Sequence, residues 1–117
     1  MTRLWCVDPA DMCTQHLVGE HKEMHQAAGT LLNHPYGEAA MEGHAQRGHI
    51  DVSLLEVRHD ALVREMEERG YNHDSPWEYD LSEWEDMGEV NAKKNAEELV
   101  DRCDDCRERM LENQTNE

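Results

Sequence analysis

Apolar side chains recur at helical spacing in three stretches of the chain, and nowhere at the alternating spacing of a strand. Leu17, His21, Met24, Ala28 and Leu31 step by threes and fours and predict a helix with one core-facing stripe. Asp8-Pro9 marks its expected start, with Asp8 as N-cap and Pro9 in the first helical position. A second helix is expected from about Asp51 to Arg69, with Leu55, Leu62 and Met66 on one side and Gly70 as its C-terminal cap. The third pattern is the most regular: Ala92, Ala96, Leu99, Cys103, Cys106 and Met110 predict one continuous helix.

The intervening segments read differently. Residues near Asn33 to Ile50 hold His34-Pro35, Gly37, Gly43 and Gly48, and predict a long irregular connection. YNHDSPWEYDLSEWEDMGE, from Tyr71 to Glu89, carries two tryptophans and is expected to be an ordered loop packed on the core. The tail from about residue 112 is expected to fray. The reading is an all-α, single compact domain spanning 1–117, with three main helices and long irregular connections.

Charge changes this picture more than composition does. The 117 residues include 27 Asp and Glu against 11 Lys and Arg, a formal −16. Such a chain suits concentrated salt, where the Debye length falls to about 3 Å and self-repulsion is silenced; an acidic protein of dilute solution fits equally. Global acidity argues against nucleic-acid binding unless a local site supplies it. No run is long enough to span a membrane, and the start MTRLWCVDP lacks a signal peptide's apolar core, so a cytoplasmic monomer is expected. Four cysteines in that setting are read as thiols rather than a disulfide framework.

Three groups of residues could carry chemistry. Cys103-x-x-Cys106 has zinc-like spacing, but zinc pairs sit on turns and these fall on an apolar helical stripe, so core cysteines are the better reading. Cys6 and Cys13 could complete a four-thiolate site only if the N-terminal segment crosses that helix. His21 and His25 are spaced as a metal pair, yet the order H-K-E-M-H is not that of a zinc protease, and His21 belongs to the core stripe; structural histidines are preferred, with no metal expected. Glu23 shares a helix face with His16, Gly19, Glu20, Gln26 and Ala27. Gly19 costs that helix about 1 kcal/mol against alanine, which leaves room for a close approach to Glu23. By pattern alone, a solvated polar face with an incidental glycine explains it better.

The start of the chain reverses that preference. Met1-Thr2-Arg3, then Gln15-His16-Leu17, Glu20 and Glu23, resembles the pyrimidine-dimer DNA glycosylases of the phage endonuclease V type, at the same distances from the N-terminus. The likeness continues more weakly through the second helix into RGYNHDSP, Arg69 to Pro76. It implies a bifunctional DNA glycosylase and abasic-site lyase, without cofactor, acting on damaged double-stranded DNA. Met1 would be removed and the Thr2 amine would form a Schiff base at the sugar, an α-amine being more often neutral than a lysine. Glu23 would take the carboxylate role and His16 a hydrogen bond to sugar or carboxylate, while Arg3, Gln15, Lys22 and Gln26 stand at DNA-facing positions. Arg47 could join Arg3 and Lys22 on one face, with Lys93 and Lys94 near another helix start. Lys22 and Gln26 replace arginines of the phage enzyme, and its aromatic C-terminal motif has no counterpart in CRERMLENQTNE, which leaves open another damaged or modified base. Two other classes stay in view: a non-catalytic metal-binding protein built on the cysteines and histidines, and an acidic helical DNA mimic.

Overall fold

The computed structural model describes residues 3–73 and 76–115. They form five α-helices: α1 (Thr14–Asn33), α2 (Gly37–Gln46), α3 (Leu55–Glu68), α4 (Ala92–Arg102) and α5 (Asp104–Thr115). Among the described residues there is no strand, as the absence of period-two alternation requires. α1 is the longest helix, and both α2 and α3 pack against it. Leu17, Met24, Leu55 and Leu62 at this contact are fully buried. Each contributes about 1.5–3 kcal/mol of hydrophobic stabilisation. The 71–89 segment packs Tyr71, Trp77, Leu81, Trp84 and Met87 onto the core, as expected of its tryptophans.

Three local readings are corrected. Pro9 starts only a 3-10 turn, Pro9–Asp11, capped by the Asp8 carboxylate accepting from the Ala10 N–H at 3.0 Å. The chain then extends at Met12 before α1 begins, because Met12 is drawn into the core and its carbonyl accepts from Arg69 at 2.7 Å. The connection read as irregular contains α2. Its Gly37 serves a close approach rather than a turn: a Cβ there would lie 1.9 Å from the Thr30 carbonyl oxygen of α1. The last helix is two helices, broken at Cys103, whose φ of −124° and ψ of 105° are extended. The tail is helical through residue 115, and Asn113 donates to the Ala10 carbonyl at 3.1 Å.

The N-terminal segment is part of the core, which its sequence does not announce. Leu4, Trp5 and Val7 are buried. The Leu4 N–H donates to the His49 carbonyl at 2.7 Å, and the fully buried Asn95 amide donates to the Leu4 and Gly48 carbonyls at 2.8 and 3.0 Å. Extended backbone cannot satisfy its own polar groups, so a neighbouring helix and turn must do so. From α3, Arg58 donates to the Val7 carbonyl at 2.7 Å, and Arg69 donates to that of Pro9 at 3.2 Å. These contacts hold the entry into α1 in one place.

Candidate active site

The secured N-terminal segment and the polar face of α1 together enclose a cleft of about 350 Å³. Its walls include Arg3, Trp5, Gln15, His16, Glu23 and Arg102, and Gly19 opens its floor. No described atom lies within 4 Å of where a Cβ of Gly19 would stand, so any side chain there would occupy the cleft.

Glu23 is half-buried at this opening. Burial pushes its carboxyl above the usual carboxylate range, and the neighbouring Glu20 adds to the rise. A hydrogen bond from the Arg3 backbone N–H and the Arg3 charge oppose it. A carboxyl in this setting can both stabilise positive charge and exchange a proton.

Glu20, one turn earlier, does other work. It is buried, accepts from the Trp5 N–H at 3.1 Å, and forms an ion pair with Arg58, whose second nitrogen lies 3.1 Å away. Both oxygens are consumed in fastening the N-terminal segment to α1 and α3.

The structure gathers some of the expected residues and separates others. Gln15, His16 and Glu23 share the cleft with Arg3. Arg3 itself is buried; its guanidinium pairs with Glu98, reaches His49 Nε2 at 2.7 Å, and lies 4.8 Å from the centre of the Trp5 ring. Burial first, then the Arg3 charge, lowers the His49 pKa, so a neutral imidazole accepts that bond. Lys22 and Gln26 are exposed on α1, and Gln26 lines an adjoining groove with Gly29, Thr30 and His44. Arg47 is exposed on a different groove, beside Asn91 and Ala92 at the start of α4. Lys93 and Lys94 are exposed on α4. Thr2 lies outside the described residues.

Arg102 belongs to the cleft and was not found from sequence. Its guanidinium stands 5.2 Å from the Trp5 ring centre, with its side chain 56% exposed, which makes it the accessible guanidinium of this wall. Nothing near it in the chain signals that role, because α4 meets residue 5 only in the folded protein.

Two groups of metal-ligand residues also come together. One is Cys13, His16, Cys103 and Cys106; the other is His21, His25, His59 and His73. In each, the donor atoms lie within 4.8 Å of one another. The reading of Cys103 and Cys106 as residues of a continuous apolar stripe is therefore corrected in its geometry. Cys106 is buried, but Cys103 sits at the break between helices, which is where a ligand pair belongs. The N-terminal segment does approach these thiols, though His16 rather than Cys6 is the fourth member. In the histidine group, burial and then each neighbouring ring lower the His21 pKa to about 4.

A half-buried carboxylate in a cleft, beside an N-terminal segment held against the core, is an arrangement suited to acid–base chemistry. A family model for pyrimidine dimer DNA glycosylases matches residues 2–79, more than half of the chain. The chain belongs to the pyrimidine dimer DNA glycosylase family, and is a DNA repair glycosylase with DNA as its substrate. No curated protein and no solved structure matches it. Membership sets aside the non-catalytic readings. Among the described residues, no helix is long and apolar enough to cross a membrane.

Proposed function

We propose that this glycosylase is also an abasic-site lyase, and that the amine of Thr2, exposed by removal of Met1, is its nucleophile. The observation that carries the reading is that Arg3, the residue joined to Thr2, lines the same cleft as Glu23. The residue to which the nucleophile is joined and the helix-borne acid therefore share one wall.

In the reaction, the neutral amine attacks the sugar C1′ as the glycosidic bond breaks, and the damaged base departs with the bonding electrons and a proton. Glu23 stabilises the positive charge that develops on the sugar. The C1′–O4′ ring bond then opens, O4′ leaves with a proton as a hydroxyl, and the amine holds C1′ as an iminium. Loss of the C2′ proton expels the 3′ phosphate by β-elimination, with Glu23 moving protons at both stages. His16 hydrogen-bonds the sugar or the carboxylate from the cleft wall. Lys22, Gln15, Gln26 and Arg47 contact the DNA backbone, with Arg102 at the mouth. Arg3 acts chiefly through its backbone, since its guanidinium pairs with Glu98. The lesion is a pyrimidine dimer or another damaged base small enough for the cleft.

Borohydride trapping on ultraviolet-irradiated and abasic duplexes tests this reading. A covalent protein–DNA adduct is expected with the processed chain and not with a blocked N-terminus. Trapping that persists after blocking overturns the assignment of Thr2. The acidity of the chain points to work in salt: incision is expected to persist from low to molar KCl, and a steep loss would count against that part.

A further inference from the structure

We propose that Cys13, His16, Cys103 and Cys106 form a closed, four-ligand zinc site that pins the two C-terminal helices to the start of α1, directly behind the cleft.

The two halves of the site are built alike. Cys13 is the N-cap of α1 and His16 the third helical residue; Cys103 immediately precedes α5 and Cys106 is its third residue. N-cap and third-position side chains turn to the same side of a helix start, the relation that also makes capping boxes. Each pair therefore presents two donors in one direction, and the fold sets the pairs face to face.

The spacing suits a tetrahedron. Cys13 Sγ and Cys103 Sγ are 3.7 Å apart. A zinc ion with sulfur ligands at about 2.3 Å places them about 3.8 Å from each other, far beyond the roughly 2.05 Å of a disulfide. His16 Nδ1 is 3.2 Å from Cys13 Sγ, a few tenths of an ångström inside the sulfur–nitrogen edge of the same figure.

Backbone donors already face the sulfurs. The Cys13 N–H points at Cys106 Sγ at 3.3 Å, and the Cys106 N–H at Cys103 Sγ at 3.4 Å. The positive ends of α1 and α5 add to this field. Three thiolates and an imidazole, with no position left open, are the donor set of structural zinc. A metal on Nδ1 leaves the His16 proton on Nε2, so the ring could only donate a hydrogen bond from the cleft wall. The residues beyond the family match thereby acquire a purpose, since Arg102 reaches the cleft one position before a ligand.

A second site stands on separate observations, and we infer that His21, His25, His59 and His73 bind a further divalent ion of the zinc type. His21 Nε2 and His73 Nε2 are 2.9 Å apart, and ring centres across the group lie 4.8 to 5.4 Å from one another. Two of the rings are held from outside: His59 Nδ1 lies 3.1 Å from the Asp60 carboxylate, and His25 Nδ1 lies 3.0 Å from the Tyr79 hydroxyl. Outward hydrogen bonds of this kind orient metal-ligating histidines. Aliphatic residues would fill the same core volume without such partners.

Metal analysis of the full chain, purified without chelator and re-equilibrated with zinc, tests both sites independently of catalysis. Two tightly held ions per chain are expected. Cys103→Ser should lose one and His73→Ala the other. Cobalt substitution gives a readout on the unmutated protein: sulfur-to-cobalt charge-transfer absorption is expected, and must vanish when the thiols are alkylated first. A metal-free protein, or cobalt binding without that absorption, overturns the cysteine site whether or not the variants fold. One ion per chain, lost in Cys103→Ser and kept in His73→Ala, upholds the first site and overturns the second.

Discussion

Glu20 and Glu23 lie three residues apart on α1, and everything about their settings differs. Glu20 is buried, with both oxygens engaged by Arg58 and the Trp5 N–H. Glu23 is half-buried at an open cleft, with its carboxyl pushed above the usual range by burial. The first is satisfied and holds the structure; the second is under-compensated and available for chemistry. One turn of helix separates a carboxylate that supports folding from one whose setting opposes it, and that contrast can be tested.

The largest effect is expected from Glu23→Gln. Single-turnover incision of irradiated duplex should fall by roughly 10²–10⁴-fold with DNA binding retained, and unchanged turnover would remove Glu23 from the mechanism. Stability should move the other way. Because the folded-state pKa of Glu23 is raised, its contribution falls as pH rises from the ordinary carboxylate value through the folded one. Glu23→Gln should therefore raise the denaturation midpoint at neutral pH, and incision by the unmutated enzyme should lose rate on the acid side at a pH above the ordinary glutamate value.

Glu20→Ala inverts this pattern. It strands the Arg58 charge and is expected to cost about 3–5 kcal/mol in chemical denaturation; a loss near zero would mean that the two carboxylates are not distinct in kind. Asn95→Ala leaves the buried Leu4 and Gly48 carbonyls without their amide donor. It should cost about 1–3 kcal/mol and speed amide exchange at Leu4. The smallest effect belongs to Arg102→Ala, for which folding should be intact and the salt dependence of DNA affinity should flatten by about one unit of slope.

The helices were legible wherever burial repeats with the helical period. The stripes of α1 and α3 and the Gly70 cap (φ 83°) follow directly from the residues. α2 was hidden because its glycines look like turns, although Gly37 is there so that two helix backbones can touch. The break at Cys103 was hidden because α4 and α5 both face inward, so apolar spacing runs on across one extended residue. At the site, Glu23, His16 and Gln15 were visible through one helix face and a resemblance. Arg102 and the partnership of Cys13 with Cys103 were not, since each joins residues about ninety positions apart in the chain.

The sequence by itself determined what is local: the helical periods, the caps, the acidity, and the family to which the first part of the chain belongs. Tertiary structure alone decided which of two neighbouring glutamates is held by an arginine and which faces the cleft. It also decided that cysteines from the two ends of the chain should meet. Local pattern follows from backbone geometry over three or four residues, whereas desolvation and ligand geometry depend on distant side chains, whose positions no short window contains.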